Sequence, residues 1–166
     1  GAQAMLDDGL LERFGTPSQK QLWLPKFASG AMRGGLALTE PDAGTDLQGI
    51  RSTAIDRGDH YLLNGSKTFI TNGWHADLVI VVAKTRPDAG AKGTSLLLVE
   101  RGMPGFEKGQ PLHKVGLKAQ DTCELFFADV KVQAVEKEDR TDWPVEKRLS
   151  QRIIDGEREG LTAELD

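Results

Sequence analysis

HYLLNGSKTFI, His60 to Ile70, decides how the rest of the chain is read. Two apolar runs flank Asn64-Gly65, and both of those residues tolerate a positive φ, so the spacing predicts a β-hairpin turning at that dipeptide. Working outward, the neighbouring segments read as strands too. DLVIVVAK (Asp77 to Lys84) is an apolar run of buried-strand length, closed by the polar loop TRPDAGAKG. TSLLLVER (Thr94 to Arg101) is another, followed by the turn-rich GMPG, and ELFFADVKV (Glu124 to Val132) is a third. Strands at short intervals, separated by Gly, Pro and Asp, predict a mainly β fold, an antiparallel barrel or sandwich. No helical stretch lies between them, which sets aside a βαβ arrangement.

The two ends differ from this middle. From about Met5 to Gly30 the pattern is helical, with Thr16-Pro17-Ser18-Gln19 as a start: Thr16 as cap, Pro17 at the first position and Gln19 placed to reach back. Leu22, Trp23 and Phe27 would form its apolar stripe. Pro25 removes a backbone donor, so two short helices are expected rather than one long one, and Gly30 is a fitting stop. After Gln133 a mixed-charge run, EKEDR, leads past Trp143-Pro144 to Val145, Leu149 and Ile153, recurring every four positions; this is a candidate C-terminal helix or a solvated tail. Three zones result: 1–33, short N-terminal helices; 34–132, a β domain; 133–166, a charged tail.

The bulk numbers bound the function. At 166 residues, 39% hydrophobic and 28% charged, the chain can bury a core of its own as one soluble domain. A net charge of -4 argues against nucleic acid or an anionic membrane as partner, each of which favours a basic face. No apolar run approaches the roughly 20 residues of a membrane span. The opening GAQAMLDDGL shows neither the basic start nor the apolar centre of a secretory leader. A single cysteine, Cys123, excludes an internal disulfide and suits a reducing compartment, so a cytoplasmic location is expected.

Catalytic motifs are scarce. His60, His75 and His113 lack paired ligand spacing, so no metal site is read. There is no GxxxxGK[ST], no GxGxxG opening a helix and no GxSxG elbow. Cys123 at the mouth of an apolar strand reads as a small buried thiol. Two polar segments that end strands remain: LALTEPDAGTD (Leu36 to Asp46) and KTFITNG (Lys67 to Gly73). Their threonines and free amides would suit a flat heteroaromatic ring with polar edges, covered on one face by Phe69. Equally, they could be two loops whose Thr and Asn side chains cap their own turns.

Taken in order, LALTEPDAGTDLQGI, HYLLNGSKTFITNG, DLVIVVAKT, LLLVERGMPGF and GLKAQDTCELFFADVKV resemble successive segments of the middle β-domain of acyl-CoA dehydrogenases. The likeness runs from about Phe14 to Val132, and its wording is nearest to members acting on longer acyl chains. The resemblance implies FAD, removal of two hydrogens from the α and β carbons of an acyl-CoA thioester, and electron transfer to an electron-transferring flavoprotein. It implies that Leu36, Leu38 and Thr39 lie against the pyrimidine side of the ring. Gly44 and Thr45 would lie toward the ribityl and pyrophosphate end, Thr45 also touching the CoA part of the substrate. Phe69, where many members carry Trp, would cover the ring face away from substrate. Ile70 belongs to the same motif, and the Thr71 hydroxyl would bond the ring nitrogen that accepts hydride.

The resemblance also implies a catalytic glutamate on a C-terminal helical domain, which is not recognised in this chain. None of Glu136, Glu138, Glu146, Glu157, Glu159 or Glu164 matches the motif around that base, and Gln133 stands where Pro is usual. No catalytic residue is therefore assigned. Two functions stay open: an acyl-CoA dehydrogenase represented by its β-domain, inactive as an isolated chain, and a non-catalytic flavin- or acyl-CoA-binding or interaction module. An FMN-reductase-like barrel would explain the strands but not the five motifs. A β surface lacking its helical partners is expected to expose apolar side chains and to favour a homo-oligomer.

Overall fold

The computed structural model describes residues 9–134 of the chain. Helical residues 9–14 precede helix α1 (Pro17–Ala28). Its start is as the sequence indicates: Gln19 N–H donates to Thr16 Oγ1 at 3.2 Å, and Thr16 N–H donates back to Gln19 Oε1 at 3.0 Å. Gly30, at φ 72°, ends it. The expected break at Pro25 does not occur, and α1 runs through it. Pro25 stands in the last turn, where its own carbonyl still accepts the Ser29 N–H, so the loss is confined to one donor. The stripe is also rotated: Trp23 is buried with Leu24 and Phe27 beside it, while Leu22 is 51% exposed.

Seven strands follow: β1 (Gly34–Ala37), β2 (Thr53–Asp56), β3 (His60–Thr71), β4 (Leu78–Lys84), β5 (Thr94–Glu100), β6 (Phe106–Lys108) and β7 (Thr122–Gln133). They form a mainly antiparallel sheet curled into a half-barrel. β5 lines one edge of β4; the other edge takes β1 along its first half and β2 at Lys84, both parallel. From β2 the sheet continues through β3 and β7 to β6. β4 is buried on both faces, which explains its unbroken apolar run. Val79, Val81 and Ala83 join the main core, while Leu78 meets Leu11 and Trp23 on the helical side.

The hairpin expected at Asn64-Gly65 is absent. β3 is one continuous strand of 12 residues, antiparallel to β7. The β2–β3 turn falls earlier, at Gly58 (φ 92°), whose N–H donates to Asp56 Oδ1. Asn64-Gly65 instead marks a register shift. Asn64 Nδ2 donates to Asp129 Oδ1 and Asp129 N–H donates to Asn64 Oδ1, both at 2.9 Å, across 65 residues of sequence. Gly65 is needed because a Cβ there would stand 2.3 Å from Ser52 Oγ. Opposite, left-handed Asp129 (φ 51°) resets the alternation, so Cys123, Leu125 and Phe127 point inward before it and Val130 and Val132 after it. The expected stripe through Val145, Leu149 and Ile153, and the rest of the tail beyond Ala134, lie outside the described residues.

Candidate functional site

The two polar segments meet. β1 runs beside β4 and ends at Ala37, and Leu38 and Thr39 continue past it. The Thr39 carbonyl accepts the Thr68 N–H at 2.9 Å, joining the first segment to β3. At the same seam a Cβ built on Gly35 would lie 3.5 Å from the Thr71 carbonyl, so the base of β1 abuts the end of β3.

Beneath the seam is a buried ion pair that the sequence reading missed. Lys67 is wholly buried and Glu40 is 5% exposed. Lys67 Nζ donates to Glu40 Oε1 at 2.8 Å and to the Leu38 carbonyl at 3.1 Å. The same carboxylate accepts the backbone N–H groups of Arg51 and Ser52. Burial works to raise the Glu40 pKa, but the Lys67 ammonium and these amides outweigh it and hold the carboxyl below its ordinary value. Burial lowers the Lys67 pKa, and the bonded carboxylate offsets this in part. Glu40 also closes a tight turn through two reciprocal backbone bonds with Ala43. Each residue stands in one of the two polar segments already marked, Glu40 in the loop after β1 and Lys67 within β3, but their pairing across 27 residues was not legible locally.

Above the seam the polar groups are unengaged. Among the described residues, the hydroxyls of Thr39, Thr45 and Thr71 make no hydrogen bond with the protein, and the Gly44 and Thr45 amides find no acceptor. Turn-capping threonines would have bonded their own backbone; in this loop that task falls to Asp46, whose carboxylate accepts the Gln48 N–H. Thr39 and Gly44 are neighbours, the Thr39 methyl lying 3.9 Å from a Cβ built on Gly44. Phe69 is 66% exposed at φ 57°, within the irregular pairing between Lys67 and Ile70. A bulky residue held left-handed and turned to solvent is costly, and such strain concentrates at binding sites.

The other expected residues are placed as follows. Leu36 is half-buried in β1, level with Ile80; Leu38 and Thr39 are half-buried; Gly44 and Thr45 are exposed; Thr71 is half-buried and paired with Thr122. Ile70 is 2% exposed with its side chain in the core, which leaves only its backbone to face a ligand. Cys123 is buried in the same core, and burial, with the Asp121 charge nearby, pushes its thiol up to about 11. Among the described residues no group of three or more His, Cys, Asp or Glu side chains could hold a metal ion.

The arrangement is a hydrogen-bonded seam carrying hydroxyls, free amides and one aromatic side chain. These are groups of the kind that hydrogen-bond and stack on a flat ring with polar edges. Comparison with known proteins identifies the family of the β-domain that carries this seam. The family described as acyl-CoA dehydrogenase, middle domain, matches residues 35–130. The chain is 54% identical over 126 residues to the long-chain specific acyl-CoA dehydrogenase, mitochondrial, of Rattus norvegicus, covering 75% of this chain and 29% of that enzyme. Among solved structures, an acyl-CoA dehydrogenase from Geobacillus kaustophilus superposes with a TM-score of 0.73 at 46% identity, covering 91% of this chain and 43% of that one. A glutaryl-CoA dehydrogenase from Mycobacterium smegmatis in complex with FADH2 superposes with a TM-score of 0.70 at 38% identity, covering 76% and 32%. The chain thus spans less than half the length of these relatives.

Proposed function

Because the chain belongs to the acyl-CoA dehydrogenase family through its middle domain, we propose that it forms the β-domain side of an FAD site in an enzyme that dehydrogenates acyl-CoA thioesters between the α and β carbons. The observation that carries this reading is that the Thr39, Thr45 and Thr71 hydroxyls are unengaged in two segments joined by the Thr68 N–H to Thr39 carbonyl bond, with the left-handed, exposed Phe69 next after Thr68. In the proposal, Leu36, Leu38 and Thr39 line the pyrimidine side of the flavin ring, and Gly44 and Thr45 face the ribityl and pyrophosphate. Phe69 covers the ring face away from substrate. The Ile70 backbone and the Thr71 hydroxyl address the ring edge, with Thr45 also toward CoA. When bound, FAD would supply the acceptor for the hydride that leaves the β carbon. The protein's share here is to orient that ring and to keep water from one of its faces.

The chain offers no assigned base for the α proton, a step that needs a carboxylate aligned within hydrogen-bond reach. We therefore infer that the isolated chain does not turn over, and that zones 1–33 and 133–166 flank the β-domain 34–132. Acyl-CoA as substrate and an electron-transferring flavoprotein as acceptor follow from the same reading. Exposed Ile55, Leu96 and Phe126 on three strands support covering by a second copy or by further helices. Among the described residues no helix is long and apolar enough to cross a membrane. A cytoplasmic location is proposed, although the rat relative is mitochondrial.

The test is titration of the chain with FAD, followed by flavin fluorescence and absorbance. Quenching that is weakened in a Thr39→Val, Thr71→Val double variant is expected. An unchanged flavin signal at millimolar protein would refute the reading. Dye reduction by the chain alone with acyl-CoA would refute the absence of a base.

A further inference from the structure

The turn that follows Thr71 is held with far more polar bonding than a surface loop requires. Asp121, immediately before β7, accepts the Trp74 N–H at 2.8 Å and the His75 N–H at 3.2 Å through one carboxylate oxygen, Oδ2. Its backbone carbonyl accepts the Asn72 N–H. From the end of β5, Arg101 donates to the carbonyls of Trp74, His75 and Ala76. From β6, Lys108 Nζ donates to the carbonyls of Trp74 and Ala76. With Ala76 N–H donating to the Asn72 carbonyl, every backbone polar group from Trp74 to Ala76 is engaged.

What this bonding restrains is strained. Phe69 (φ 57°) is a bulky residue held in the left-handed region, and three residues on the turn pivots at Asn72 (φ 59°), a residue type that adopts this conformation readily. Between Asn72 and Trp74, a Cβ on Gly73 would meet Cys123 Sγ at 2.8 Å and the Ile70 carbonyl at 3.0 Å, so the turn has no room to relax inward. Backbone strain of this kind persists only where the surroundings over-determine it. A loop that merely connected β3 to β4 would need neither the strain nor three charged side chains drawn from three elements.

We propose that Asp121 is a positioning residue for the flavin edge. Acting through the Trp74 and His75 amides, with Arg101 and Lys108 holding the opposing carbonyls, it fixes the Asn72 turn and so presents the Phe69 ring and the Thr71 hydroxyl to the ligand. The inference rests on the flavin reading above, and its test separates the two. In the flavin-free, 15N-labelled chain, the Trp74 and His75 amides exchange slowly. Asp121→Ala removes that protection and shifts the amide signals of Phe69 to Gly73, while those of β4 and β5 stay in place. With FAD as the titrant, Asp121→Ala weakens binding about tenfold, whereas Asp121→Asn, which keeps one acceptor oxygen, weakens it no more than about threefold.

A merely structural role would move β4 and β5 as well and would not be rescued by Asn. Unshifted signals from Phe69 to Gly73 in Asp121→Ala, or FAD affinity equal to that of the unaltered chain, overturn the inference. An unaltered chain that ignores FAD overturns the flavin reading instead, and the exchange measurement, made without flavin, then decides alone whether the clamp exists. If Asp121→Ala does not fold, Lys108→Met carries the same comparison, with about threefold weaker FAD binding expected.

Discussion

Two side chains on β3, two residues apart, have opposite surroundings. Lys67 is wholly buried, its ammonium bonded to a carboxylate and a carbonyl; Phe69 is 66% exposed and makes no ring contact among the described residues. In a regular strand, residues two apart share a face. The shift in pairing between Lys67 and Ile70, with Phe69 left-handed, is what separates them. The contrast teaches how the seam is built. Strong polar bonding lies underneath, where Lys67 and Glu40 fix two distant segments to each other. Unsaturated groups lie on top, where a ligand can use them. Stability belongs to the lower layer and recognition to the upper, and substitutions can be chosen that affect one and spare the other.

The largest effect is expected from Lys67→Met. It strands the Glu40 carboxylate in a buried site and should cost about 3–5 kcal/mol, read by urea unfolding. Glu40→Gln combined with Lys67→Met should recover part of that loss, since no buried charge remains. The pH dependence has a definite sign. Glu40 is held below its ordinary value of 4.5, so its contribution is complete above that pH and disappears as acid carries the pH down through the folded-state pKa. Below pH 4.5 the double variant should therefore lose stability less steeply than the parent. A pair contributing nothing would give parallel curves.

Gly65→Ala should cost less, about 1–3 kcal/mol, by driving a methyl into Ser52 Oγ and its Cβ. A hairpin turn at Asn64-Gly65 would place residue 65 at a solvent-facing corner and predict a milder cost. Ser52→Gly in the same chain should restore only part of the loss, because the Ser52 Cα would still stand 2.8 Å from the new methyl and residue 65 keeps φ 142°. A Gly65→Ala chain as stable as the parent would break the account of β3 as one bulged strand.

This substitution also marks the limit of what the sequence could tell. β4 was legible because its run LVIVVAK is buried on both faces, so no partner need be known. The capped start of α1 was legible because Thr16 and Gln19 are three residues apart. Asn64-Gly65 misled because the dipeptide satisfies a local rule while its partners, Asp129 and Ser52, come from other strands. Leu22 was misplaced because periodicity sets a stripe's spacing but not its exact orientation toward β4. At the candidate site, the threonines and Phe69 were marked by their turn-rich setting and by family likeness. That their hydroxyls are unengaged depends on Glu40, Lys67 and Asp46 having taken the local bonding, which only the tertiary structure displays.

The smallest stability effect, and the sharpest test of the two layers, is expected from Phe69→Gly. Losing an exposed ring removes little buried area. Glycine relieves a left-handed cost of about 1–2 kcal/mol and adds a similar entropic one of about 0.5–1 kcal/mol, so stability should stay within about 1 kcal/mol of the parent. FAD affinity should nonetheless fall several-fold, because an aromatic face stacked on a ring contributes about 0.5–1.5 kcal/mol beyond its buried area. Lys67→Met would show the reverse pattern at concentrations of FAD where its folded fraction is held equal: a large loss of stability and a smaller loss of affinity per folded molecule. If Phe69→Gly instead unfolds the chain and leaves FAD affinity intact, Phe69 belongs to the lower layer, and the division between support and recognition has been drawn through the wrong residue.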